Sequence, residues 1–495
     1  VSKKAVVIGS GIAGLGAALR LRAKGYAVDV YEKNNYPGGK LTAFKLGAYR
    51  FDAGPSLFTM PQYVEELFAL FGEVPSDHFE YIKHPTACHY FFEDGTFLPF
   101  YGDQQRLLKS VQEVLHIDTK PLEDHLELSA YIYQKTHKVF LEQSLHSFKN
   151  YVSADILRCV AAMPWLHLFE SMHKVNHKKL NHPKLVQIFD RYATYNGSNP
   201  YKAPGILHII PHLEHGFGTF FPKKGMHAIT ESLVDLAKRH GVEFHLGTAV
   251  TEIQTQAGKA QGIQIKNQVG EVQTVTADLV ICNSDVKPAY KNLLPTLKAP
   301  AKTMAQEPSS SAMIFYWGIG KRFENIDLHN IFFSEDYETE FAHIFDKNSV
   351  YSDPTVYIHC SSKVVPEDAP EGKEAWFVMV NVPANSGQDW DRMRVEIRKN
   401  VLTKLSRILK TDIESLIEEE DYLDPVRIEQ RTSSFAGALY GASSNDRMAA
   451  FFRHPNASKI EGLYFVGGSV HPGGGIPLCL LSAKIASEFI PNSSN

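Results

Sequence analysis

The 495-residue chain reads as an α/β protein: a parallel, doubly wound sheet of the Rossmann type with an inserted α+β region. Three observations support this. An apolar strand, a glycine turn, a helix, a second strand and an acid follow one another between Ala5 and Lys33. A second glycine-rich stretch, "GGSVHPGGGIPLCLLSAKI", opens a helix-like run between Gly467 and Ile485. The long stretches between these ends mix helical and strand periodicities.

Ala5 to Ile8 are apolar and partly β-branched, as a buried parallel strand requires. Gly9, Gly11 and Gly14 follow as G-x-G-x-x-G. The first permits a tight turn, the second lets a pyrophosphate approach the backbone, and the third lets helix and strand pack closely. Ile12 and Ala13 sit at the helix start, where free N–H groups and the helix dipole favour an anion. The helix is expected over Ala13 to Lys24, with Gly25 as its C-cap. Val28 to Tyr31 form the next strand, and Glu32, with Lys33 beside it, stands where a carboxylate accepts from ribose hydroxyls. The order of these parts predicts a dinucleotide site.

The segment Asn34 to Pro61 departs from an NAD domain, which would continue into another strand–helix unit. Gly38, Gly39 and Lys40 come first, then a short strand, then Asp52-Ala53-Gly54-Pro55. The glycines would bring backbone amides to a second part of the same cofactor, and Lys40 would face the pyrophosphate as a point charge. An ordinary turn with a solvated lysine is the alternative. The five glycines Gly467, Gly468, Gly473, Gly474 and Gly475 pose a similar choice, since each costs about 0.5–1 kcal/mol in a regular element. They mark either a loose C-terminal loop or a helix N-terminus bared for a ligand.

Composition narrows the class. With 44% apolar and 21% charged residues the chain can bury a sizeable core. A net charge of -4 gives no sign of nucleic-acid binding. Five dispersed cysteines without CxxC spacing point to a reducing, cytoplasmic setting. No run approaches the roughly 20 apolar residues of a membrane span. Only Val1 to Lys4 precede the first strand, which leaves no room for a leader unless one was trimmed, as the absence of an initial Met allows.

The chain resembles the flavoprotein desaturases of carotenoid biosynthesis, in the amine-oxidase-like branch of FAD enzymes. The resemblance runs over most of its length. It rests on "VVIGSGIAGL", "YEKNNYPGGK", "DAGPSLFTMP", "FPKKGMHAITESL" (221–233), "GVEFHLGTAVTEI" (241–253), "ADLVICNSD" (277–285) and "GLYFVGGSVHPGGGIPLCLLSAKIA" (462–486). "HPGGGIP" beside "SAKIA" is the most specific block. The resemblance implies FAD, held by the N-terminal residues above together with Gly54, Pro55, Ser56, Val250 and Asn283. It also implies that the last helix, from Gly475, Ile476 and Pro477, points its N-terminus at the flavin, with Gly467 and Gly468 in the loop before it. Gly468 stands where broader relatives carry an acid for the ribitol chain, which suggests weaker flavin retention.

The FAD unit is expected to be discontinuous, over 1–72, 221–284 and 431–495. The segments 73–220 and 285–430 would form the substrate-binding, membrane-facing region. "LLKSVQEVL", "KVFLEQSLHSFKNYV" (138–152) and "DRMRVEIRKNVLTKLSRIL" (391–409) read as helical, and "SAMIFYWGIGKRF" (311–323) and "KEAWFVMVNVPA" (373–384) as strands. The stretch 158–180 is either an interfacial helix or a core helix with a solvated basic end. Sequence alone favours the core helix, and a lipid-dissolved substrate favours membrane contact.

By this resemblance the reaction introduces a C=C bond into a carotenoid, a polyene with no handle for a side chain, so the cofactor takes the electrons. The terminal block favours 3,4-desaturation of a hydroxylated acyclic or monocyclic, γ-carotene-type substrate. Phytoene or neurosporene desaturation comes second, then isomerase, saturase or amine oxidase activity. O2 or a membrane quinone would reoxidise the flavin. Candidate proton acceptors and tunnel residues are His471, which would titrate near neutrality or serve as a structural hydrogen-bonder, and Arg191, Tyr192 and Tyr195. No metal site is expected: His212 and His215 lack a third ligand.

Overall fold

The computed structural model describes residues 3–146, 154–267, 269–446 and 448–494. The apolar run after Lys4 forms the strand Lys4–Ile8, central in a five-stranded parallel sheet. Across the sheet the order is Leu463–Phe465, Leu279–Cys282, Lys4–Ile8, Ala27–Tyr31 and Glu243–His245. A crevice therefore opens at the carboxyl ends of its middle strands, where open α/β sheets take their ligands.

The helix Ile12–Ala23 is buried continuously from Ile12 to Leu21. It lies between this sheet and two further helices, Ala228–Arg239 and Ile476–Glu488. Lys24 caps it, and Gly25 follows at φ 87°. The segment 241–256 is not one strand. Glu243–His245 belongs to the parallel sheet, and Ala249–Gln256 starts a three-stranded antiparallel sheet with Lys259–Lys266 and Val272–Thr276. Gly247, at φ 66°, lies at the change of direction.

A seven-stranded sheet draws on both inserts. Its order is Ile417–Leu423, Ser311–Ile319, Glu374–Val382, Val356–Cys360, His329–Phe332, Thr86–Phe91 and Phe97–Tyr101. The one parallel pair, His329–Phe332 with Thr86–Phe91, joins the first insert to the second. Side chains alternate as period 2 demands. Met313, Phe315 and Trp317 pack toward the helix Trp390–Leu409, and Ile314 and Tyr316 face the other way. Asp389 caps that helix by accepting from the Arg392 amide at 3.1 Å.

The rest of the first insert is mainly helical. Gln104–Leu115 forms as its pattern predicts, capped by Asp103. Over 138–152 the structure shows a π-helical turn at Lys138–Glu142, and positions 147–152 of the expected helix lie outside the described residues. The stretch 158–180 corrects the expectation of a single core helix. It comprises the end of Ala154–Ala162, a 3-10 turn at Met163–Trp165 and the helix Met172–Lys179. Pro164, inside the turn, cannot continue a regular ladder. Cys159, Ala162 and Leu166 face inward, while Leu157 (72% exposed), Trp165 (54%) and Phe169 (75%) face solvent.

Candidate active site

A cavity of about 740 Å³ opens where the two glycine-rich loops meet both inserts. Two helices begin at its wall, Ile12–Ala23 and Ile476–Glu488, and neither has a side-chain cap. Their first amides are therefore available to an anion. Gly475 has φ 104°, and a Cβ there would meet nothing within 4 Å, so its backbone faces open space. Gly14 is the opposite case. It does not line the cavity, and a Cβ there would come within 2.1 Å of the Gly9 carbonyl oxygen. It allows the helix to close on the turn.

The other sequence-predicted cofactor residues gather at this wall: Gly9, Gly11, Ile12, Ala13, Gly38 and Gly39 from the N-terminal loops, Gly54, Pro55 and Ser56 from the next, and Gly467, Gly468, Ile476 and Pro477 from the last. Glu32 is buried. One carboxylate oxygen accepts from the Ser10 amide and hydroxyl, both at 2.9 Å, and the other from the Asn34 amide at 2.9 Å. Val250 lines the cavity just after the chain leaves the parallel sheet. Asn283 is a brace: its amide donates to the Gly9 carbonyl at 3.2 Å, and its side chain also abuts Gly11, Gly14 and Gly467. The Lys33 ammonium is committed to the Gln430 carbonyl (2.8 Å) and the Ser433 hydroxyl (2.7 Å).

Lys40 is half-buried, and its ammonium donates to the carbonyls of Ala438 (3.1 Å) and Leu439 (2.8 Å). Burial pulls its pKa down, against the opposing pull of Asp285. Arg453, which the sequence does not single out, behaves the same way. It donates to the carbonyls of Gly468 (3.2 Å) and Ala442 (3.0 Å), and burial lowers its pKa to about 10. A buried and a half-buried cation, both held by carbonyls beside two uncapped helix starts, suit an anionic cofactor. This donor set fits the pyrophosphate and flavin of FAD, with Glu32 at the ribose end.

The inserts wall the remaining space with Leu141, Leu145, Ile206, Ile210, Leu213 and Ile331. Set into that lining is a polar cluster. The buried Arg191 donates to the hydroxyls of Tyr195 (2.9 Å) and Tyr90 (2.7 Å) and lies 3.7 Å from Glu214. Glu214 accepts from Tyr192 (2.7 Å) and Tyr195 (2.5 Å). Burial works against the Arg191 charge, but Tyr195, Tyr90, Glu214 and Tyr192 hold its pKa well above the ordinary value. Arg191 and Tyr195 line the cavity, whereas Tyr192 sits behind them, bonded to Glu214 and to His215 Nε2 at 2.8 Å.

His471 also lines the cavity but does not titrate near neutrality. Its Nε2–H donates to the Gln143 carbonyl at 2.8 Å, and burial pushes its pKa down to about 4. A ring with that pKa is a poor proton acceptor near pH 7. Its hydrogen bond ties the glycine-rich loop to the first insert.

A Rossmann sheet whose crevice is built from two glycine loops, and closed by a sheet-and-helix cap, defines a flavin-dependent oxidoreductase. The chain matches the model of the flavin containing amine oxidoreductase family over residues 12–490 and belongs to that family. Its cofactor is FAD. It is 52% identical over 493 residues to a 1-hydroxycarotenoid 3,4-desaturase of Flavobacterium sp. (strain P99-3), covering 99% of this chain and 100% of that one. It is 31% identical to a 4,4'-diapolycopene oxygenase of Methylomonas sp., covering 99% and 98%. Among solved structures it shares its fold with the cyclohexylamine oxidase of Brevibacterium oxydans IH-35A, at a TM-score of 0.62, 15% identity and 99% coverage of each chain.

Proposed function

We propose that the protein desaturates a carotenoid, forming the 3,4 double bond of a hydroxylated acyclic or monocyclic substrate. One observation carries the reading: a single cavity joins the FAD cradle to an apolar space between the inserts. Such a space, built from 73–220 and 285–430, suits a polyene and excludes water. The full-length likeness to the hydroxycarotenoid desaturase supplies the substrate class and the bond.

When bound, FAD supplies the two-electron acceptor that no side chain provides. The protein does the rest. Lys40, Arg453 and the helix starts at Ile12 and Ile476 would hold and neutralise the cofactor's anionic parts. The apolar walls orient the chain of the substrate. His471 stays neutral and keeps the loop 467–475 against the first insert.

No helix among the described residues is long and apolar enough to cross a membrane. The substrate nonetheless dissolves in lipid. The exposed Leu157, Val160, Met163, Trp165 and Phe169, followed by the exposed Lys174, Lys178 and Lys179, form the surface by which the protein docks on a bilayer. A quinone in that bilayer, or O2, would be the final electron acceptor.

The test is turnover in liposomes with FAD-loaded protein and two substrates offered separately, phytoene and a 1'-hydroxylated γ-carotenoid. A red shift with loss of two hydrogens from the hydroxylated substrate alone supports the reading. Conversion of phytoene into coloured polyenes overturns the 3,4 assignment. Oxygenation is the second reading, favoured by the relatives named oxygenases, and a product gaining oxygen mass would support it.

A further inference from the structure

We propose that His329, oriented by Tyr357 and Ser56, is the hydrogen-bond partner of the substrate hydroxyl and sets the preference for a hydroxylated carotenoid. The inference rests on the reading above and names the residue that would read the hydroxyl.

His329 begins the strand His329–Phe332 and lines the cavity. It is only 4% exposed, and its Nε2 has no hydrogen-bond partner among the described residues. The other ring nitrogen, Nδ1, lies 2.8 Å from the Tyr357 hydroxyl, which lies 2.9 Å from Ser56 Oγ. The ring is thus fixed at one nitrogen and unpaired at the other. Ile314, Ile331, Phe377 and Met379 line the same cavity, and the His359 ring lies 5.3 Å from that of His329. Buried polar atoms are almost always paired, so an orphan on a residue that lines a ligand space calls for a partner from the ligand. A pure hydrocarbon would leave Nε2 unpaired, and a phenylalanine would serve it as well.

Among the described residues, two others that line the cavity carry unpartnered polar atoms, Arg191 at Nε and Asn196 at Oδ1. Position decides between them and His329. Ser56 directly follows Gly54 and Pro55 in the loop at the cofactor cradle, so the Ser56–Tyr357–His329 chain begins beside FAD. In a 1-hydroxy substrate a single carbon separates C1 from the 3,4 bond. A hydroxyl recognised there must lie close to the cofactor. Burial, with His359, His84 and Arg191 nearby, holds the His329 pKa well below its ordinary value, so the ring is neutral. A neutral imidazole presents Nε2 as donor or acceptor according to tautomer, and the Tyr357 hydroxyl can turn to match either. Both forms suit an alcohol.

The test compares kcat/KM for a 1-hydroxycarotenoid and for the same skeleton without the hydroxyl. It uses FAD-loaded wild type, His329→Phe, His329→Gln and Tyr357→Phe, with flavin content checked for each. Sites built to hydrogen-bond a hydroxyl reject the analogue lacking it strongly, so wild type should favour the alcohol by about 100-fold or more. His329→Phe should bring the ratio near one. His329→Gln, which keeps a hydrogen-bonding group, should retain part of it, and Tyr357→Phe should fall between. A ratio that stays at the wild-type value in His329→Phe and Tyr357→Phe overturns the inference and leaves the desaturase reading intact. Equal loss on both substrates does the same. A wild type indifferent to the hydroxyl, or inactive on both, overturns the inference together with the functional reading.

Discussion

Gly14 sits where a methyl group has nowhere to go. A Cβ would lie 2.1 Å from the Gly9 carbonyl oxygen, which is backbone and cannot swing away. Gly14→Ala should therefore push the helix Ile12–Ala23 off the turn that cradles the pyrophosphate. We expect a loss of about 1–3 kcal/mol in stability, the usual cost of overpacking. It should come with at least a tenfold weaker hold on FAD, read as melting temperature and as flavin absorbance after gel filtration. Full stability with normal flavin content would contradict this role. The residue is legible in the sequence because its reason is local: turn, glycines and helix lie within one short stretch. Glu214 is not legible. It meets Arg191 and Tyr195 only because the helix Ile209–His215 packs against the 3-10 turn Arg191–Asn196, and nothing in "PHLEH" announces a carboxylate bound by two tyrosines. His329 is hidden for the same reason, since its partner Tyr357 lies on a neighbouring strand.

At the scale of elements, the segment 154–169 shows how an apolar pattern alone misleads. Bulky residues at 165, 166, 168 and 169 suit a core helix as well as a lipid-facing one. The choice is made by Pro164 and by which side packs on the helix Lys120–His137. The outward side carries Leu157, Trp165 and Phe169. Fully burying one large apolar side chain is worth about 1.5–3 kcal/mol. Replacing Trp165 and Phe169 by Ser should lower liposome binding at least tenfold in a flotation assay, while turnover of detergent-dispersed substrate persists. Unchanged flotation would remove this surface from the docking proposal. The elements of the parallel sheet were easier to read, because fully buried parallel strands are short apolar runs bounded by glycine. The seven-stranded sheet was less so. Its strands come from both inserts, and its single parallel pairing joins segments more than 200 residues apart, which periodicity cannot report.

The whole molecule carries many neutral, buried histidines. Burial pushes His208, His359, His454 and His471 each to about 4. Their unfolded value is about 6.5. Below that pH the unfolded chain binds protons that the folded chain does not, so stability falls as pH falls. The contribution is complete above about pH 6.5 and is lost progressively toward pH 4, at up to about 3 kcal/mol per ring. Melting temperature should therefore drop steeply over that interval, and His208→Asn should flatten the drop. A melting temperature constant from pH 7 to pH 4.5 would contradict this. Burial likewise keeps the cavity-lining His329 and His471 uncharged, which suits a reaction on a hydrocarbon chain.

The central claim is that the electrons of a new carbon–carbon double bond leave through FAD in this cavity. The most direct measurement mixes FAD-loaded protein with a 1-hydroxycarotenoid without oxygen or quinone, and follows flavin and carotenoid absorbance in one cuvette. Bleaching of one oxidised flavin for each double bond formed, with the product lighter by two hydrogens, is the expected result. A new double bond without flavin bleaching, or bleaching with the carotenoid unchanged, would contradict it.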